Sequence, residues 1–148
     1  MAEPLSITAS VIAVATLAYS STQTLYQTIY AIHDAPEAFA HLMTDIETLH
    51  ETIHSLQQEI KKRDTDGTLS DAQNSNLREI KPTLEACRTA CDAFRSKIDK
   101  IMRHSKDGHT SMRDRLKLQF QEKEIRAFQA RLASYKSTLA NALDFSIL

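Results

Sequence analysis

Residues 4–33 read PLSITASVIAVATLAYSSTQTLYQTIYAIH and contain no Asp, Glu, Lys or Arg. From Leu5 to Tyr19 the stretch is apolar or small on nearly every side of a helical wheel. A helix that is hydrophobic all round belongs in the middle of a protein or in a membrane. Pro4 suits its first turn, because the N–H that proline lacks would have no partner there. The spacing predicts one helix over 4–32. Ser, Thr and Gln recur from Ser6 to Thr28, too often for a permanent transmembrane span even though the uncharged length would suffice. The resting state is therefore read as a soluble bundle with this helix at its core.

The chain that follows supplies helices able to wrap such a core. Asp34, Ala35, Pro36 and Glu37 form a break and a fresh start: Pro36 pushes Ala35 extended, and Asp34 with Glu37 fits a capping box. Beyond it, Phe39, Leu42, Ile46, Leu49, Ile53, Leu56 and Ile60 step by three and four without a fault, which is a heptad seam. That helix is expected over 36–63, closing on Lys61, Lys62 and Arg63 where the dipole favours bases, with a turn from Asp64 to Gly67. Ser70 and Gln73 offer a second capping box. The next seam is Leu77, Ile80, Leu84, Cys87, Cys91, Phe94, Ile98 and Ile101, on a helix expected over 70–104. Pro82 lies opposite that seam and predicts a kink; a main helix that begins only at Pro82 is the lesser alternative. Ser111 and Asp114 fit a cap for a last helix over 111–144. Its seam is regular from Ile125 through Phe128, Leu132, Tyr135 and Leu139. Four long helices with short connections predict an all-α fold, an up-and-down, left-handed four-helix bundle formed as one domain over 1–148.

Composition agrees. The chain has 148 residues, 42% of them hydrophobic, enough for one core, and only two Gly and three Pro to make the turns of a sheet. A net charge of −1 gives no field for nucleic acid. The charge is unevenly placed, however: acids dominate residues 34–60 and bases dominate 103–136. That asymmetry fits an acidic helix beside a basic one, or a basic face open to anionic lipid. Glu3 stands where the basic start of a signal peptide belongs, and Ala2 excludes N-myristoylation. The chain reads as cytosolic.

Few residues carry a chemical motif. His50, Glu51 and His54 match H-E-x-x-H, but a zinc protease also needs a third ligand and a substrate-binding strand. Glu47 with His50 mimics half of a di-iron site, with no second half on another helix. Both are read as a polar face with two partly exposed histidines, His50 beside the seam and His54 outward. Cys87 and Cys91 sit one turn apart in a seam and read as reduced core thiols. There is no glycine-rich phosphate loop. No catalytic residue, metal site or cofactor is expected. Arg113, Arg115, Lys117, Lys123 and Arg126 form a basic face, read first as solvated or ion-paired and second as lipid-facing.

The opening from Met1 to Val14 resembles the start of fungal HeLo-like domains, the N-terminal domains of NOD-like (STAND) receptors, which tend to begin Met-Ala-(Asp/Glu)-Pro-Leu-Ser. The Asp34 to Glu37 break, Leu84 with Cys87, and Arg115, Leu116 and Leu118 through Leu132, Lys136 and Leu139 match further parts of that family in order. Leu118 departs from the Trp that members often carry. The resemblance implies a cell-death or incompatibility module, kept soluble until a C-terminal sensor, in cis or in trans, drives self-association. It would then expose its N-terminal helix and permeabilise the plasma membrane. On that carry-over the membrane-active residues are Leu5, Ile7, Val11, Ile12, Val14, Leu17 and Tyr19. The rival reading is a helical adaptor that never enters lipid, since an exposed heptad seam is also a docking face.

Overall fold

The computed structural model describes residues 4–32, 35–67, 69–104, 116 and 119–144, with backbone alone for 4–6, 66 and 104. Among the described residues there are four long helices: α1 (Pro4–Tyr30), α2 (Glu37–Asp66), α3 (Asp71–His104) and α4 (Glu122–Ala142). No strand occurs among the described residues. The fold is an all-α four-helix bundle.

Its arrangement follows from which helices touch. α1 packs on α2 and α3, and α4 packs on the same two, so α2 and α3 face each other across one diagonal and α1 and α4 across the other. Thr16 meets Gln57 and Thr22 meets His50, so α1 and α2 are antiparallel. Phe94 meets Phe128 and Lys97 meets Glu124, so α3 and α4 are antiparallel as well. Ile7 and Ser10 share a cleft with Arg78 and Lys81, which makes α1 parallel to α3. The chain thus runs up and down, but its short second connection crosses a diagonal instead of joining neighbours.

The seams explain the core. Phe39, Leu42, Ile46, Leu49, Ile53, Leu56 and Ile60 are buried along α2, and Leu77, Ile80, Leu84, Cys87, Cys91, Phe94, Ile98 and Ile101 along α3. From α4 come Ile125, Phe128, Leu132 and Leu139, with Tyr135 partly buried. Each fully buried Leu or Ile contributes about 1.5–3 kcal/mol relative to exposure. Leu116 and Phe120, from the segment before α4, close one end. There Phe39, Phe94, Phe120 and Phe128 form one aromatic cluster, in which the Phe94 and Phe128 rings stack at 4.3 Å and Phe120 sits edge-on to Phe39 at 5.6 Å.

Several boundaries differ from the sequence reading. α1 ends at Tyr30, not at 32. α2 continues past Arg63 to Asp66, because Gly67 adopts the left-handed conformation at φ 65° and its N–H reaches the Arg63 and Asp64 carbonyls. Pro36 stands at the N-cap of α2 without a side-chain cap bond, and Asp34 lies outside the described residues. At α3 the capping box is present in both directions: the Gln73 N–H donates to Ser70 Oγ at 3.2 Å and the Ser70 N–H to Gln73 Oε1 at 2.8 Å. α3 is continuous through Pro82, which lies on its exposed face, so a main helix starting at Pro82 is overturned. α4 begins at Glu122 rather than 111, after an extended Gln121. Ser111 and Asp114 lie outside the described residues.

α1 also departs from the expected wholly buried core helix. It occupies one corner of the bundle. Val11, Ala15, Ala18, Leu25 and Ile29 are buried, yet Ala9, Ala13, Leu17, Ser20 and Gln23 face outward. The wheel looked apolar all round because the outward positions hold small or uncharged residues rather than charged ones.

Candidate functional site

The polar side chains of α1 are used unevenly. Thr16 and Thr22 bond to α2, and with Tyr19 they form a densely polar interface. Gln57, itself buried, donates from Nε2 to Thr16 Oγ1 at 2.6 Å. The Thr16 hydroxyl in turn donates to the Ile12 carbonyl at 2.9 Å. Two turns along, fully buried Thr22 lies 2.9 Å from His50 Nδ1. Between them the Tyr19 ring stacks on His50 at 4.0 Å and leans on His54 at 5.6 Å.

The hydrogen bonds assign a tautomer to His50. The Thr22 oxygen lies 2.9 Å from both the Tyr19 carbonyl and His50 Nδ1; with its proton assigned to the carbonyl, it accepts from the imidazole. The proton of the neutral ring is therefore on Nδ1, and Nε2 carries the lone pair. Burial, and then the neighbouring His54, hold the His50 pKa below its ordinary value, against the opposing pulls of the Tyr19 carbonyl, Glu51 and Glu47. The H-E-x-x-H pattern is thus an interhelical latch: one histidine is bonded to α1 and both touch Tyr19. Among the described residues no group of three or more His, Cys, Asp or Glu side chains converges.

Beside the latch, Gln23, Tyr26 and Gln27 of α1 and Glu47 and His50 of α2 line an open cleft of about 320 Å³. Sequence reasoning missed this grouping, because the register of α1 against α2 is written in neither helix alone. The usable signal was the recurrence of Thr16, Tyr19 and Thr22 at three-residue steps on one edge of α1.

The other candidates from the sequence separate clearly. Val11 is buried; Ile7, Ile12, Val14 and Tyr19 are partly buried against the core; Leu17 is exposed at 46%; the Leu5 side chain lies outside the described residues. Cys87 and Cys91 are buried free thiols, and the hydrogen bond that the Cys91 thiol makes to Cys87, with burial, pushes its pKa far up. Burial, followed by Cys87, raises Tyr135. Of the basic face, Arg126 is paired with Glu122 at 2.6 Å and Lys123 is exposed. Arg113, Arg115 and Lys117 lie outside the described residues. The acidic α2 does lie beside the basic α4, where Gln129 Nε2 donates to Asp45 Oδ2 at 3.1 Å.

No curated protein and no solved structure is significantly similar to this chain. A family model does match, over residues 2–147: the N-terminal domain of the pigment biosynthesis cluster protein PigL. With that match spanning nearly its whole length, the chain belongs to this family of fungal helical domains.

Proposed function

We propose that the chain is a non-enzymatic effector domain whose working part is α1, held against α2 and α3 at rest and released when copies self-associate at an anionic membrane. The observation that carries this reading is that α1 runs 27 residues without a charge and yet lies at a corner of the bundle, with one side open to solvent. Leaving the bundle strands no buried charge. It breaks two bonds between helices: Thr16 loses Gln57 and Thr22 loses His50. Each hydroxyl keeps its bond to a carbonyl of α1 itself, Thr16 to Ile12 and Thr22 to Tyr19, and only its capacity to accept is freed, which neighbouring α1 helices can use. No described helix is long and apolar enough to cross a membrane. α1 would therefore act in an assembly or along the interface rather than as a lone span. A C-terminal sensor, in cis or in trans, is the expected source of self-association, in line with the resemblance to fungal immune-type receptors.

The second reading is a helical interaction domain without membrane activity. The lack of a described membrane-spanning helix favours it, as does a family description that places a relative's N-terminal domain in a pigment cluster. Dye release from anionic vesicles separates the two, using the chain alone and fused to a forced-oligomerisation tag. The effector reading expects leakage that requires the tag and drops in Leu17→Glu, a substitution at an exposed position that spares the core. No leakage from either form, with helicity intact, would leave the docking module.

A further inference from the structure

The cleft between α1 and α2 has a composition that selects for one class of small ligand. Among the described residues it offers several acceptors, beside the donors of two carboxamides and a phenol, and no formal positive charge. Its only ionised lining group among the described residues is the Glu47 carboxylate, because α1 has no charged side chain. His50 adds Nε2, which the bond from Nδ1 to Thr22 leaves as the unprotonated nitrogen. Gln23 and Gln27, one turn apart on α1, add two carboxamides, and neither they nor Glu47 makes a hydrogen bond or ion pair among the described residues. Tyr26 supplies a ring face, steadied by its stack on Tyr30 at 6.2 Å. The other titratable groups near His50 are Tyr19 from α1 and Glu51 and His54 from α2. α3 and α4 contribute no side chain to the lining.

We propose that this cleft binds a protonated organic amine, with the ammonium between Glu47 and His50 Nε2 and its alkyl part along Tyr26. An ammonium has donors only, which suits the Glu47 carboxylate, the His50 ring nitrogen and the Gln23 and Gln27 carboxamide oxygens, and a cation on a tyrosine face is favourable where an anion is not. A volume of about 320 Å³ exceeds one ammonium group and accommodates a short aliphatic chain. Binding and His50 protonation oppose each other, because both place positive charge at one site. By linkage, a bound amine lowers the pH at which His50 titrates. This inference stands whether or not α1 ever leaves the bundle.

The test is a titration of the purified full chain with 1,4-diaminobutane, butylamine and butyrate at pH 7.5, followed by NMR at His50, Tyr26 and the Gln23 and Gln27 amides. The amines are expected to give saturable shifts confined to these residues, and butyrate none. Glu47→Gln, at an exposed position, is expected to keep the fold and weaken amine binding about tenfold, the usual worth of one charge-assisted hydrogen bond. The His50 titration is expected to move to lower pH when diaminobutane is present. Absence of saturable shifts with either amine, equal binding by Glu47→Gln, or an unmoved His50 titration would each overturn the proposal.

Discussion

The two antiparallel pairs of the bundle are held by different chemistry. Between α3 and α4, the Phe94 and Phe128 rings stack at 4.3 Å, Phe120 packs on Phe94 at 4.8 Å, and Lys97 covers Phe120 while pairing with Glu124. Between α1 and α2, Thr16, Tyr19, Thr22, His50 and Gln57 supply the specific contacts. The aromatic pair gains its stability from area and depends little on pH. The polar pair depends on directed bonds, one of them to a histidine whose pKa burial holds below its ordinary value. A bundle built in this way has one half that stays and one half that can open.

That contrast can be broken first at its strong side. Phe94→Ala removes the ring that touches Phe39, Phe120 and Phe128. The expected loss is about 3–5 kcal/mol, read as a large fall in the denaturation midpoint with all four helices melting together. The weak side should respond less and locally. Thr22→Val keeps the shape but takes the hydroxyl from His50 Nδ1, and the expected cost is about 1 kcal/mol, since the Tyr19 carbonyl still faces the ring. Its signature is faster amide exchange in α1, with α3 and α4 unchanged.

Much of this fold was legible in the chain, for a plain reason. Apolar residues stepping by three and four, as from Phe39 to Ile60, can be buried only on one face, so the helices and their inward sides follow from spacing alone. The Ser70 and Gln73 cap was legible because both partners lie within one turn. The end of α2 was misplaced because three bases at 61–63 resemble a terminus, whereas the conformation that ends the helix belongs to Gly67. The start of α4 was missed because extended Gln121 carries no capping side chain. Likewise, nothing local tells that α2 and α3 lie diagonally, or that Tyr19 lands on His50. Both depend on how whole helices pack.

The latch has a pH sign. The His50 pKa is lowered in the folded protein below its ordinary 6.5, so the opened state binds more protons. The stabilisation is complete above about 6.5 and is lost as pH falls from there toward the folded value. The most direct measurement is native-state hydrogen exchange across α1 and α4 at pH 7.5 and pH 5.5, corrected for intrinsic rates. If α1 is the detachable element, its amides open at lower free energy than those of α4, and the gap widens at the acid pH. Equal opening free energies for the two helices at both pH values would contradict a latched, releasable α1.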